Sequence, residues 1–374
     1  MSLVFEEHRL DDVAARPELD PGALLRRTAS VAARARSARS VALEAGLATL
    51  AEQGRPRAVV VVGTGEAALA GELLAAVCAG SSPVPVSVVS GSHLPGWVGA
   101  NDLVMAAAAL PGREADDIAQ LAMEAVRRGC RFFAVGSSDG PLAAVAEQAR
   151  APYAAVTAEP GAALWPIAIP LLTAATEVGV AALPTDVYEA AAAKLEEAAW
   201  INGPSVETFE NPAKTLAYDL AGTLPVVWGA GPVAGFAARW FVAKLAANAG
   251  YPAAAGEFPG AGAEQLTLLR GPFGGTGPRS IFDDPIEDDV TRLRAVLLSD
   301  TADPHGAEGS VAEREMAAAV ELARARGVAI SELGTETGRV VERMAGLLAL
   351  TEYVTVYLAV AYGLDPSTNT LVAG

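Results

Sequence analysis

The sequence predicts an α/β protein built of two doubly wound parallel-sheet lobes in tandem, Rossmann-like in design. Three observations carry this. Short apolar, β-branched runs alternate with helical segments, the pattern of a parallel sheet covered on both faces. A strand, a glycine turn and a helix open at Gly63 and again at Gly229, about one domain length later. The chain has 374 residues, 52% of them hydrophobic and 19% charged, enough for two buried cores and incompatible with disorder.

Taken in order, residues 21–50 place apolar positions at helical spacing with arginines on the other face, predicting one or two helices. Residues 58–62 form a β-branched strand that ends in Gly63-Thr64-Gly65 and runs at once into an Ala/Leu helix reaching Val77. Further strands are expected at 84–89, 103–107, 131–135 and 153–156, with helices at 114–128 and 141–149. In the second half, 225–228 leads through Gly229-Ala230-Gly231 into a helix to residue 245. Strands at 294–298 and 328–333 then flank a helix at 311–326, and 335–363 is helical. The Gly/Pro-rich stretches 251–263 and 271–279 read as loops lining a cleft or an interface. The expected layout is an N-terminal helical segment (1–56), a first lobe (57–183), a helical connector (184–205) and a second lobe (206–374).

The formal net charge is -17, and the only lysines are Lys194, Lys214 and Lys244. So acidic a surface repels phosphate backbones, and no nucleic-acid partner is expected. A small anion is not excluded, because helix N-terminal amides bind phosphate without basic side chains. Cys78 and Cys130 sit in apolar surroundings without paired spacing, as core thiols of a reducing compartment do, and no metal-ligand cluster stands out. Glu6, Glu7, Arg9, Asp11 and Asp12 are foreign to a secretory leader, so a cytoplasmic location is expected. Stretches 73–101, 160–176 and 220–238 lack acidic and basic residues, yet each contains prolines. They read as buried strands and helices joined by turns, not as membrane spans.

Gly63-Thr64-Gly65-Glu66-Ala67-Ala68 fits the glycine turn of a dinucleotide-binding unit. The following strand, however, ends in Val89-Ser90-Gly91-Ser92, with neither the acid that binds ribose hydroxyls nor an arginine for a 2′-phosphate. No cofactor is therefore expected, and an NAD(P)-dependent oxidoreductase is the weakest of the functional alternatives.

The turn fits better with other motifs. Gly63-Thr64-Gly65-Glu66-Ala67-Ala68-Leu69-Ala70-Gly71, Ser138-Asp139-Gly140-Pro141-Leu142 and Glu159-Pro160-Gly161-Ala162-Ala163-Leu164 follow one another in the first half. The strand at 225–229, Ala247-Asn248-Ala249-Gly250, and the tail Glu352-Tyr353-Val354-Thr355-Val356-Tyr357-Leu358-Ala359 with Gly363-Leu364-Asp365-Pro366 follow in the second. In this order they resemble the sugar isomerase (SIS) domain family, in particular its bifunctional phosphoglucose/phosphomannose isomerase branch. The resemblance implies two SIS lobes, a homodimer, a sugar phosphate or related small anion as ligand, and aldose–ketose isomerisation through an enediol.

The departures from that family bear on function. Its phosphate loop, Ser-Tyr-Ser-Gly-Asn-Thr-Glu-Glu-Thr, corresponds to Ala108-Ala109-Leu110-Pro111-Gly112-Arg113-Glu114-Ala115-Asp116, which keeps none of the hydroxyls; Pro111 also deletes an amide donor. Ala67 replaces a serine and Gly161 an arginine. The family's base glutamate aligns with Ala247, and its ring-opening histidine with Ala263; the only histidines are His8, His93 and His305. The expectation is a degenerate member that has lost catalysis and acts by binding a ligand or a partner. Its candidate ligand-binding residues are Gly63, Thr64, Gly65, Arg113, Ser137 and Ser138. The alternative is an active sugar-phosphate isomerase with displaced groups, for which Glu257 and Glu264 are the candidate bases. The acidic run Asp283, Asp284, Glu287, Asp288, Asp289 lacks calcium-loop glycine spacing and reads as solvated or as a helix start.

The tail supplies the argument for association. Tyr353, Val356, Tyr357, Val360 and Leu364 recur at helical spacing, and Val354, Leu358 and Ala361 add a second apolar stripe. At ~25 cal/mol per Å², leaving such stripes in water costs several kcal/mol. Burial partly against a second subunit is expected.

Overall fold

The computed structural model describes residues 3–275, 291–300, 310–335 and 337–367. The chain divides into two compact units, Ser30–Ala193 and Lys194–Gly374 together with Met1–Ala29. The N-terminal segment is thus shared out between the units. Ahead of the first sheet come a 3-10 turn (Glu7–Leu10) and helices α1 (Arg16–Leu19), α2 (Leu24–Ala29), α3 (Val31–Glu44) and α4 (Ala48–Ala51). Residues 21–50 therefore hold more helices than the expected one or two, the last two being separated by the left-handed Gly46 (φ 79°).

In the unit Ser30–Ala193 the order is β1 (Val59–Val62), α5 (Gly65–Cys78), β2 (Val86–Val89), β3 (Leu103–Ala108), α6 (Arg113–Arg127), β4 (Arg131–Gly136), α7 (Pro141–Ala149), β5 (Tyr153–Ala155) and α8 (Leu164–Glu177). The strands form one parallel sheet in the order β2-β1-β3-β4-β5. All four valines of β1 are buried, as a β-branched strand covered on both faces requires. On α5, a Cβ at Gly71 would lie 2.8 Å from a Val61 methyl, so glycine there sets how closely the helix packs on β1. Helix α6 buries Ala115, Ile118, Leu121, Ala122 and Ala125 and turns Glu114, Asp116 and Asp117 outward.

Stretch 160–176 departs from expectation. Its prolines do not break it into pieces: α8 contains both Pro166 and Pro170 and is buried along nearly all its length. Pro166 falls in the first turn, where an N–H has no helical partner. Pro170 lies inside the helix and removes one bond, a cost offset by the burial of Trp165, Ile167, Ile169, Leu171 and Leu172.

Helix α9 (Val187–Ile201) crosses the sequence boundary, and the second unit continues with α10 (Pro212–Leu220), β6 (Thr223–Ala230), α11 (Gly231–Ala249), β7 (Ala254–Phe258) and α12 (Ala261–Gln265). After a 3-10 turn (Leu266–Arg270) come β8 (Arg292–Ser299), α13 (Val311–Arg326), β9 (Ala329–Gly334) and α14 (Val340–Ala361). Its parallel sheet runs β7-β6-β8-β9. Stretch 251–263 is accordingly not a loop throughout. Residues Ala254–Phe258 pair with β6 and become an edge strand, although Ala-Ala-Gly-Glu-Phe has little strand preference of its own.

The tail also departs from expectation. Helix α14 is long and apolar enough to cross a membrane by length and composition, but 89% of its most apolar 18-residue window is buried in the protein. It packs against α11, α10, α2 and the Glu7–Leu10 turn, all within its own unit. Tyr353, Val356, Tyr357, Val360, Val354, Leu358 and Ala361 are each buried there without a second chain. Both apolar stripes are covered, so the tail supplies no argument for a dimer.

Candidate functional site

In open parallel sheets, ligands bind beyond the carboxyl ends of the strands, where the strand order reverses. That point lies between β1 and β3 in one unit and between β6 and β8 in the other.

At the first of these, β1 runs into Gly63, whose N–H donates to Val89 O (3.2 Å). A Cβ on Gly63 would approach the Ala67 carbonyl carbon to 3.0 Å, so the turn is tight enough to favour glycine. Thr64 is the extended N-cap of α5, and Gly65 follows in the left-handed region (φ 54°). The Thr64 hydroxyl does not cap its own helix; it donates to Glu114 Oε2 at 3.2 Å in the first turn of α6. The structure thereby brings Thr64 and the Arg113-Glu114 turn together. Arg113 itself points to solvent.

Ser137 and Ser138 follow β4, one strand further out. The Ser137 carbonyl accepts the Tyr153 hydroxyl and the Gly140 N–H (3.0 Å), and Ser138 is exposed. Burial pushes the Tyr153 phenol up to about 12, which keeps it a proton donor. The crevice bounded by Ala108, Pro111, Ser137 and Tyr153 holds no water-sized space. It is a packed seam.

Residues that the sequence reading passed over complete this edge. Glu66, in the first turn of α5, accepts the Ala163 N–H at 2.7 Å, and Arg34 of α3 pairs with Glu159 at 2.6 Å. Together they hold the 159–163 loop. Glu66, Glu114 and Asp116 all stand in the first turns of α5 and α6. Carboxylates thus occupy the positive helix ends that an anionic ligand would use. The signal was legible as acids directly after glycine turns, but their reach across to other loops was not.

At the second switch point, glycine is obligatory: a Cβ on Gly229 would fall 2.1 Å from Ala234 O. Gly229, at the end of the interior strand β6, lies opposite Glu257 on β7, and α11 opens at Gly231 (φ 77°). The Glu257 carboxylate rests against Gly235, where a Cβ would come within 2.5 Å of its Oε2, and pairs with Arg239 Nη1 at 2.9 Å. Glu264 lies on α12 and is exposed, as is Ala247 on α11. The neighbouring Asn248 is buried and donates to Thr355 Oγ1 at 2.8 Å. Ala263 is on α12. Glu257 and Glu264 thus flank the same segment, one held by an arginine and the other turned to water. His8 and His93 are exposed; His93 follows β2, whose last residue, Val89, accepts the Gly63 N–H. His305 and Asp283, Asp284, Glu287, Asp288 and Asp289 lie outside the described residues.

Among the described residues no group of three or more His, Cys, Asp or Glu side chains could hold a metal ion. Cys78 and Cys130 are buried free thiols; burial pushes Cys78 up to about 11 and raises Cys130 as well, so neither is a poised nucleophile.

Residues 209–373 match the family model described as the bacterial phospho-glucose isomerase C-terminal SIS domain. No curated protein matches the chain. Solved structures with the same fold include a hypothetical protein of Thermus thermophilus, 15% identical with a TM-score of 0.67, covering 98% of this chain and 91% of that one. A glucose-6-phosphate isomerase-like protein of the same organism is 21% identical with a TM-score of 0.50, over 92% of this chain and 94% of that one. The tagatose-6-phosphate ketose/aldose isomerase of Escherichia coli is 15% identical with a TM-score of 0.58, over 96% and 95%.

Proposed function

We propose that this chain, whose residues 209–373 match the bacterial phospho-glucose isomerase C-terminal SIS domain, is a phosphosugar isomerase-like protein that has lost isomerase catalysis and acts by binding. One observation carries the reading. The position matching the family's base is the exposed methyl of Ala247, and of the two candidate replacements Glu257 is paired with Arg239. Proton transfer between sugar carbons needs a carboxylate within hydrogen-bond reach of the carbon acid. Glu264 is exposed on a short helix, with no side-chain partner among the described residues to aim it.

The ligand class implied by the resemblance is a sugar phosphate or related small anion, bound in the cytoplasm by a homodimer. At the β1/β3 edge the groups available to it are the Thr64 and Gly65 amides of the turn that Gly63 opens, Arg113, and the Ser137 and Ser138 loop. The carboxylates of Glu66 and Glu114 oppose it there, so affinity at that edge is weak. No cofactor enters this reading.

The test is a coupled assay with glucose 6-phosphate and mannose 6-phosphate on the full chain, beside a thermal-shift series with the same compounds. The expected result is no turnover above background. Turnover that is lost on Glu257→Gln or Glu264→Gln would instead establish an isomerase with displaced groups.

A further inference from the structure

The unit that contains α14 holds a cavity of about 150 Å³ away from both turns described above. Its walls come from α9, the end of β9 and the first turns of α14. Strand β9 is the outer strand of its sheet, separated from β6 by β8, so the cavity is distinct from the Gly229 switch point.

The floor is apolar, formed by Ile201, Leu347 and Leu350. Gly346 leaves it open. A Cβ there would stand 3.4 Å from Lys194 Cγ and Cε, so the lysine stem crosses the glycine and carries its charge to the rim. Each basic side chain among the described lining residues is already matched by the protein. Lys194 Nζ pairs with Glu197 Oε2 at 2.8 Å. Arg343 grips both oxygens of Asp300, Nε to Oδ1 at 2.7 Å and Nη2 to Oδ2 at 3.0 Å, and Thr335 Oγ1 adds a bond of 2.8 Å to the same carboxylate. Glu342 accepts the Arg339 N–H at 3.2 Å and faces the same cavity.

Among the described lining residues two acids, Glu197 and Glu342, stand with two bases, Lys194 and Arg343, and both bases are already paired, in a chain of net charge -17. An anionic guest would need a countercharge that these paired groups do not offer. An uncharged guest with several hydroxyls would not. Its O–H groups can donate to carboxylate oxygens with lone pairs to spare, its oxygens can accept from the ammonium and guanidinium, and its C–H face can lie on the Leu347 and Leu350 floor. At ~10–15 Å³ for each water-sized position, the space corresponds to about ten to fifteen non-hydrogen atoms. We propose that this cavity is a binding site for an uncharged polyhydroxylated molecule of monosaccharide size. The inference does not depend on the fate of catalysis, nor on phosphate binding at the β1/β3 edge.

The chain has three lysines, and only Lys194 lines the cavity. Protein carrying ¹³Cε-lysine thus offers a readout that needs no variant. Titration of the full chain with sorbitol, myo-inositol and mannose should shift the Lys194 signal saturably with at least one of them, and leave Lys214 and Lys244 unmoved. Gly346→Leu, which fills the floor, should weaken that binding at least tenfold while the circular dichroism spectrum is retained; Leu350→Trp is the second obstruction if the first fails to fold. Glucose 6-phosphate and cyclohexanol serve as the anionic and apolar comparators. The proposal is overturned if no polyol shifts Lys194, if binding persists in a folded variant, or if either comparator displaces the polyol.

Discussion

The Thr64 hydroxyl donates to the Glu114 carboxylate across 3.2 Å, tying the turn after β1 to the first turn of α6 at the reversal point of the sheet. A threonine that would ordinarily be free to meet a ligand is engaged by a carboxylate belonging to the protein. Glu114→Gln removes that charge from the α6 N-terminus and leaves an amide of nearly the same size. Helix-end charges contribute about 0.3–1 kcal/mol, so affinity for glucose 6-phosphate should rise about twofold to fivefold by isothermal titration. Unchanged affinity would show that the carboxylate is not what opposes anions there.

At the other end of β1, Arg57 grips the fully buried Asp102 through Nε (2.9 Å) and Nη2 (2.7 Å), and the Gly99 N–H adds a third bond at 2.9 Å. Burial alone would raise the Asp102 pKa, but these bonds outweigh it and hold the carboxyl below the usual 3.8. A depressed folded value means stability that is present above the unfolded pKa and is lost as pH falls through the folded one. Asp102→Asn should therefore show a flatter stability profile than the wild type below pH ~4 in urea titrations. Asp102→Ala should cost about 1–3 kcal/mol at neutral pH, chiefly by stranding the Gly99 N–H.

Four tyrosines are pushed up by burial: Tyr153 to about 12, and Tyr251, Tyr353 and Tyr357 further. Above pH ~10 the unfolded chain releases these protons and the folded chain retains them, so stability falls as pH rises through that range. Of the seven tyrosines, these four should yield phenolate absorbance at 295 nm only as the fold melts. A single ordinary titration covering all seven, with the far-ultraviolet dichroism intact, would contradict the burial.

Gly229→Ala would place a methyl 2.1 Å from the Ala234 carbonyl oxygen, a backbone atom that cannot swing aside. A loss of about 3 kcal/mol or more is expected in denaturant melts, at the upper end of ordinary single-site effects. Gly346→Ala is the internal control. Its added methyl meets only the flexible Lys194 stem, at 3.4 Å, and it removes a helix-interior glycine. It should be neutral or stabilising by up to about 1 kcal/mol.

Much of the architecture was legible because parallel strands buried on both faces must be apolar and β-branched. The Val59–Val62 run, the glycines that end β1 and β6, and the ordered motifs up to Pro366 all report local requirements of that kind. Local preference was a poor guide where the partner decides. Ala254–Phe258 is a strand only because β6 offers it a ladder, and Pro166 and Pro170 are tolerated in α8 because the surrounding side chains are buried. The losses at Ala247 and along 108–113 were visible as residue types at motif positions. What replaced them was not, since Thr64–Glu114, Glu66–Ala163 and Glu257–Arg239 join positions far apart in sequence whose pairing leaves no periodic trace. The α14 stripes show the division most clearly. Their composition dictated that they be buried, whereas only the packing of α10, α11 and α2 in the same unit determined what covers them, because hydrophobic burial is non-directional and any apolar surface can satisfy it.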